Sequence, residues 1–174
     1  MKIAIILLIV ALLIMGVVYG SATDRTNRTT VTSFDLARYM GTWYEIARYD
    51  HSFERGLAGV RAQYELQPDG RVGVLNSGTD ARSGRRKTAR GKAYAAGVPG
   101  RLRVSFFWFF YSDYYVMELG GDYDWALVGS RSSKYLWILA RTPVLPARTL
   151  NHILHLAGQR GYRTDKLLFV DQEV

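Results

Sequence analysis

Few side chains in this sequence are placed to do chemistry. His152 and His155 stand one helical turn apart, a spacing that brings two imidazoles near one metal ion. His51 is the remaining histidine and cysteine is absent, so the set is too small for a metal centre and the pair reads as solvent-facing. The lack of cysteine also excludes disulfides, thiol nucleophiles and thiolate ligands. Nowhere do a nucleophile, a base and oxyanion donors converge, so neither catalysis nor a metal or cofactor is expected. Glu45 falls at an inward-pointing position of an alternating segment. It either meets the polar part of something bound inside, or is a buried carboxylate satisfied by a neighbouring Arg or Tyr, because an unpaired charge there is costly.

The elements that must position these residues begin at Asp35. Asp35 accepts hydrogen bonds from the start of a helical turn through Met40, Gly41 reverses the chain, and a strand begins at Trp43. Strict alternation puts Trp43, Glu45 and Ala47 on one face and Tyr44, Ile46 and Arg48 on the other. Further strands read at Val60 to Leu66, Arg71 to Asn76, Arg85 to Ala95, Arg101 to Phe107, Asp113 to Leu119, Asp124 to Ser130 and Tyr135 to Arg141. Short connections join all eight, and an antiparallel up-and-down barrel closes such a meander without edges. Small Ala62 and Ala93 beside large Tyr64, Phe106 and Trp137 suit a lined cavity better than a solid core. Leu150, Ile153, Leu154 and Ala157 recur at helical spacing, so Ala147 to Arg160 forms an amphipathic helix capped by Gly161 and packed outside the barrel, before a last short strand at Lys166 to Val170.

At the other end, Lys2 precedes an apolar run from Ile3 to Val18 and small residues at Gly20, Ser21 and Ala22. Residues 1–22 therefore read as a signal peptide or a retained N-terminal anchor, and residues 23–33 as a polar, mobile linker. The net charge of +8 favours anionic partners, and export disfavours nucleic acid. Arg82, Arg85, Arg86, Lys87, Arg90, Lys92, Arg101 and Arg103 are either an ordinary solvated face or an attraction to anionic membrane. The continuous run Phe106-Phe107-Trp108-Phe109-Phe110-Tyr111 is either barrel core and rim packing, a lip that meets a membrane or acyl chain, or a contact between two copies.

Gly41-Thr42-Trp43, Gly121-Asp122-Tyr123 before the seventh strand and Arg141 closing the eighth resemble, in order and place, the three signature segments of the lipocalin family. Longer runs such as Phe53-Glu54-Arg55-Gly56-Leu57 and Tyr135-Leu136-Trp137-Ile138-Leu139 extend the resemblance, in its bacterial branch, over nearly everything from Phe34 to Gln172, so residues 34–174 read as one domain of this kind. It implies an all-β calyx closed at the Trp43 end, with Arg141 across the Trp43 ring, that binds fatty acids or lysophospholipids in the cell envelope. Gly41, Trp43, Asp122, Tyr123 and Arg141 would then be scaffold, and Ala62, Tyr64, Val74, Val104, Phe106, Val116, Tyr135 and Trp137 would line the ligand. Two other functions stay open, a structural barrel filled by its own side chains and an isomerase of the kind a few lipocalins are. The chain departs from the bacterial pattern at Val18-Tyr19-Gly20-Ser21, where serine stands in place of the cysteine that would carry acyl chains, so periplasmic, secreted or helix-anchored forms replace a lipid anchor.

Overall fold

The computed structural model describes residues 24–107 and 109–173. The segment 1–22 lies outside them, as does Trp108 in the aromatic run. Asp35 Oδ1 accepts from the amides of Ala37 at 2.9 Å and Arg38 at 3.2 Å, which opens helix α1, Leu36–Tyr39. Gly41 follows with φ 95°, a left-handed conformation that a side chain would strain. A Cβ there would also stand 3.2 Å from Arg141 Nη1.

Eight strands then run as a meander: β1 Gly41–Tyr49, β2 Leu57–Leu66, β3 Val72–Asp80, β4 Arg86–Ala95, β5 Arg101–Phe107, β6 Phe110–Leu119, β7 Trp125–Gly129 and β8 Leu136–Ala140. Each pairs antiparallel with its neighbours, and β1 pairs with both β8 and β2, which closes the barrel. Three strands are longer than their alternation suggests, β2 among them, which starts at Leu57 rather than Val60. β3 reaches Asp80, and β6 starts at Phe110, paired directly with Phe107, because aromatic side chains favour the extended backbone and carry the ladder to the hairpin tip.

Alternation fails in β1. The register against β8 shifts between Glu45 and Ala47, a bulge that turns both Ile46 and Ala47 outward and brings Arg48 back to the inner face with Glu45. The expected grouping of Ala47 with Trp43 and Glu45 is therefore corrected. The apolar residues turned outward meet helix α2, Ala147–Gln159, whose Ile153 and Ala157 pack against Ile46, Ala47, Met117, Leu127 and Ile138. Burial of a side chain such as Ile153 contributes about 1.5–3 kcal/mol. Gly161, φ 86°, terminates the helix in a Schellman arrangement, with Gly161 N–H donating to Gly158 and Tyr162 N–H to Ala157.

A 3₁₀ turn, Thr164–Lys166, leads to β9, Leu167–Phe169, which pairs with β1. Residues 24–33 have no helix or strand but are held: Asn27 N–H donates to Arg160 O, Val31 N–H to Val116 O, and the Arg160 guanidinium donates to Asn27 O and Thr29 O. Their polar composition reads as a linker, yet their backbone groups are hydrogen-bonded to the barrel and to the end of the helix.

Candidate functional site: the barrel interior

Trp43 closes one end. Its ring is fully buried, its Nε1 donates to Tyr39 O at 2.8 Å, and the Arg141 guanidinium carbon lies 3.8 Å from the ring centroid. Arg141 donates to three carbonyls, those of Thr42 at 3.0 Å, Arg38 at 2.8 Å and Tyr123 at 3.1 Å. One side chain thus ties α1, the start of β1 and the β6–β7 turn together around the tryptophan. Tyr123, at φ 60°, accepts Asp35 N–H on its hydroxyl and lies under Arg38. Asp122 is exposed beside it. Apart from Asp122, these groups are engaged with backbone or with one another.

Above Trp43 the barrel has a tyrosine floor. Tyr39 and Tyr114 hydroxyls are 2.7 Å apart, and those of Tyr64 and Tyr114 3.2 Å. Burial pushes the Tyr64 phenol up to about 12 and raises Tyr39 and Tyr114 as well, so the floor stays neutral. Only about 10 Å³ remains free between these rings and Met40, Val72, Ala93, Leu102 and Val104, room for one water. Val74 and Val116 are buried at this level. Ala62, Tyr64, Val104, Tyr135 and Trp137 also point inward yet are only half-buried, and Phe106 is exposed. Phe106 lies over Gly91, where a Cβ would come within 2.8 Å of the ring. The inner wall is therefore apolar and packed below, apolar and open above.

The open half contains one charged cluster, assembled by the β1 bulge. Arg48 Nη1 donates to Glu45 Oε1 at 2.6 Å and Nη2 to Glu54 O at 2.7 Å, all of them buried. Trp137 Nε1 donates to Glu54 Oε2 at 3.1 Å, and His51 Nε2 lies 2.9 Å from the same oxygen but poorly aligned for a hydrogen bond. His51 stacks on Phe53 at 3.9 Å, and Tyr135 on Trp137 at 5.9 Å, forming an aromatic wall up to the rim. Glu45 is thus satisfied by an arginine, one of the two partners its sequence position allows. Glu54, His51 and Arg48 were not legible as its companions, since two lie in a loop and the third depends on the bulge.

The Glu54 carboxyl neighbours Glu45 here, while Arg48 binds the carboxylate of Glu45 alone and meets Glu54 at its backbone carbonyl. Burial, and then the adjacent Glu54, push Glu45 up from 4.5 to about 8 against the pull of Arg48. A carboxyl whose value rises on folding takes up a proton as the chain folds. Its contribution to stability is complete below about 4.5 and is lost as pH climbs through about 8. Thermal unfolding of the parent should therefore fall in Tm between about pH 5 and about pH 9, whereas Glu45→Gln, which keeps an oxygen for Arg48 and cannot titrate, should flatten that slope. Equal slopes in both proteins would assign the titration elsewhere.

The remaining sequence candidates lie outside the barrel. His152 and His155 are exposed, with His152 edge-on to Trp125 at 6.0 Å, and no group of three or more metal-ligating side chains occurs among the described residues. Arg82, Arg85, Arg86, Lys87, Arg90 and Lys92 are exposed. Arg101 and Arg103 differ from them: Arg101 covers Tyr115, and Arg103 pairs with Asp113 and donates to Tyr111 O.

The proteins most similar in sequence include the outer membrane lipoprotein Blc of Escherichia coli K12, 44% identical over 155 residues that cover 88% of each chain. Apolipoprotein D of Bos taurus is 33% identical over 150 residues, 80% of this chain and 78% of its own. Among solved structures, insecticyanin from the tobacco hornworm superimposes with a TM-score of 0.70 over 83% of this chain and 84% of its own, at 19% identity, a likeness of fold alone. Residues 34–172 match the sequence profile of the lipocalin-like domain. The barrel, its outer helix and the capped Trp43 end are those of a lipocalin, and the chain belongs to that family.

Proposed function

We propose that the protein binds and carries small hydrophobic molecules, fatty acids or lysophospholipids, in the cell envelope, without transforming them. The observation that carries this is the open upper barrel: Ala62, Val104, Phe106, Tyr135 and Trp137 face inward and still reach solvent. Apolar surface left wet in a cup is released to an acyl tail at about 25 cal/mol per Å². Tyr64, Val74 and Val116 form the lower limit of the tail's path, and the polar head stays toward the rim. The names of the relatives, outer membrane lipoproteins among them, support the envelope as the setting.

A second function, a barrel filled by its own side chains, draws on the tyrosine floor with its single-water gap. Native mass spectrometry of protein purified without detergent and offered each lipid class separates the two. One stoichiometric adduct supports the carrier; apo mass under saturating lipid supports the filled barrel. Trp137→Ala should weaken binding at least about tenfold, ~1.4 kcal/mol, with folding retained, whereas Trp137→Phe, which keeps a ring but loses the bond to Glu54, should bind near the parent level. Unchanged affinity of Trp137→Ala by titration of a fluorescent fatty acid would move the ligand elsewhere.

A further inference from the structure

In an antiparallel meander the β1–β2, β3–β4, β5–β6 and β7–β8 connections all emerge at one end, here the mouth opposite Trp43. Their chemistry alternates around that mouth. The β1–β2 loop presents Phe53, 63% exposed, and across the opening the β5–β6 hairpin presents Phe107, Phe109 and Phe110 at 74%, 72% and 71%. Between them stand the β3–β4 connection with exposed Arg82, Arg85 and Arg86, and on the other side the β7–β8 loop with exposed Lys134. The nearby carboxylates are already taken: Asp50 by Arg55, Asp80 by Lys87 and Asp113 by Arg131. Arg82, Arg85, Arg86 and Lys134 have no carboxylate partner among the described residues. At the closed end no phenylalanine is exposed among the described residues: the exposed large apolar residues there are Leu66, Val98, Val144 and Tyr94 at the end of β4, and Asp122 and Asp124 are exposed as well.

We infer that the mouth is a docking face for an anionic lipid bilayer. Phe53, Phe107, Phe109 and Phe110 enter the interfacial layer and Arg82, Arg85, Arg86 and Lys134 meet the headgroups. Four exposed phenylalanine rings kept in water are costly, and an apolar group ringed by cations is the pattern that a negatively charged membrane surface satisfies. Another protein with a flat apolar patch would leave the cations unmatched, and a second copy of this mouth would set like charges against each other. Docked in this way, the barrel opens straight into the acyl region, so a hydrophobic cargo passes between cup and bilayer without crossing water. This orientation goes beyond the proposed carrier function and holds whether or not the cup is loaded.

The cysteine-free chain allows a test by single labelling. Full-length protein carrying Phe109→Cys or, at the closed end where a Cβ meets nothing within 4 Å, Gly121→Cys, is labelled with an environment-sensitive nitrobenzoxadiazole dye. Each is mixed with phosphatidylcholine vesicles with or without about one third phosphatidylglycerol. The label at 109 should brighten several-fold on the anionic vesicles and less as salt is added, while the label at 121 stays dim. Arg82→Glu with Arg85→Glu should cut the response at 109, and so should Phe107→Ser with Phe110→Ser in protein whose thermal melt is unchanged. A tether elsewhere in the chain would hold protein to vesicles without brightening position 109, and that result overturns the inference. So does equal brightening at 121, a response indifferent to lipid charge and to the arginine substitutions, or brightening that follows protein concentration without vesicles, which would make the face a contact between copies.

Discussion

Trp43→Ala is expected to cost about 3–5 kcal/mol of stability, among the largest losses from any single side chain in the barrel. The ring is wholly buried and packs on Tyr39 at 4.8 Å. Its removal also leaves Arg141 without the surface it covers and Tyr39 O without its donor. Because Arg141 binds carbonyls from three segments, the cavity cannot collapse without breaking one of those bonds. Denaturant unfolding with an unchanged m-value would measure the effect, and a loss below about 1.5 kcal/mol would show that the closed end repacks around smaller side chains. Ligand affinity, referred to the folded fraction, should change little, since the tyrosine floor lies between Trp43 and the open cup.

Arg48→Ala is the second large effect, about 3–5 kcal/mol, because it removes the buried cation paired with the Glu45 carboxylate. Glu45 then remains protonated over a wider pH range, and the carbonyls of Glu54 and Leu57 lose their donor. The β1–β2 loop, which carries His51 and Phe53, would loosen as a consequence. Arg48→Ala combined with Glu45→Gln should recover part of the loss, and a double variant no more stable than the single one would show that the carbonyl contacts dominate. Thermal melts of the four proteins give the coupling directly.

Much of this molecule was legible where local rules and tertiary packing agree. Leu102, Val104 and Phe106 alternate because one face of β5 lines the barrel, and Leu150, Ile153, Leu154 and Ala157 recur because one stripe of α2 is buried. The Gly41-Thr42-Trp43 segment works because a left-handed glycine must precede the plug. Illegible parts depend on departures from period or on distant partners. The Ile46 bulge moves Arg48 to the opposite face from the one alternation assigns. The tyrosine floor joins residues 75 positions apart, and no local pattern relates them. Glu54 and His51 belong to a connection whose path is set by Arg48 through the carbonyls of Glu54 and Leu57, so their place in the cup follows from those hydrogen bonds rather than from any run of residues.

The bulge has a further consequence in time. Above Tyr44 the strands β1 and β2 do not pair, and the gap between them is bridged by the end of the chain: Gly59 N–H donates to Asp171 O, and Gln172 Nε2 donates to both Glu45 O and Val60 O. The wall begun by β1 is therefore completed by residues 127 positions further along the chain. A ribosome releases β1 and β2 well before β8 can close the ring and residue 172 can seal it, so the nascent chain is kept from finishing its barrel until residue 172 has emerged.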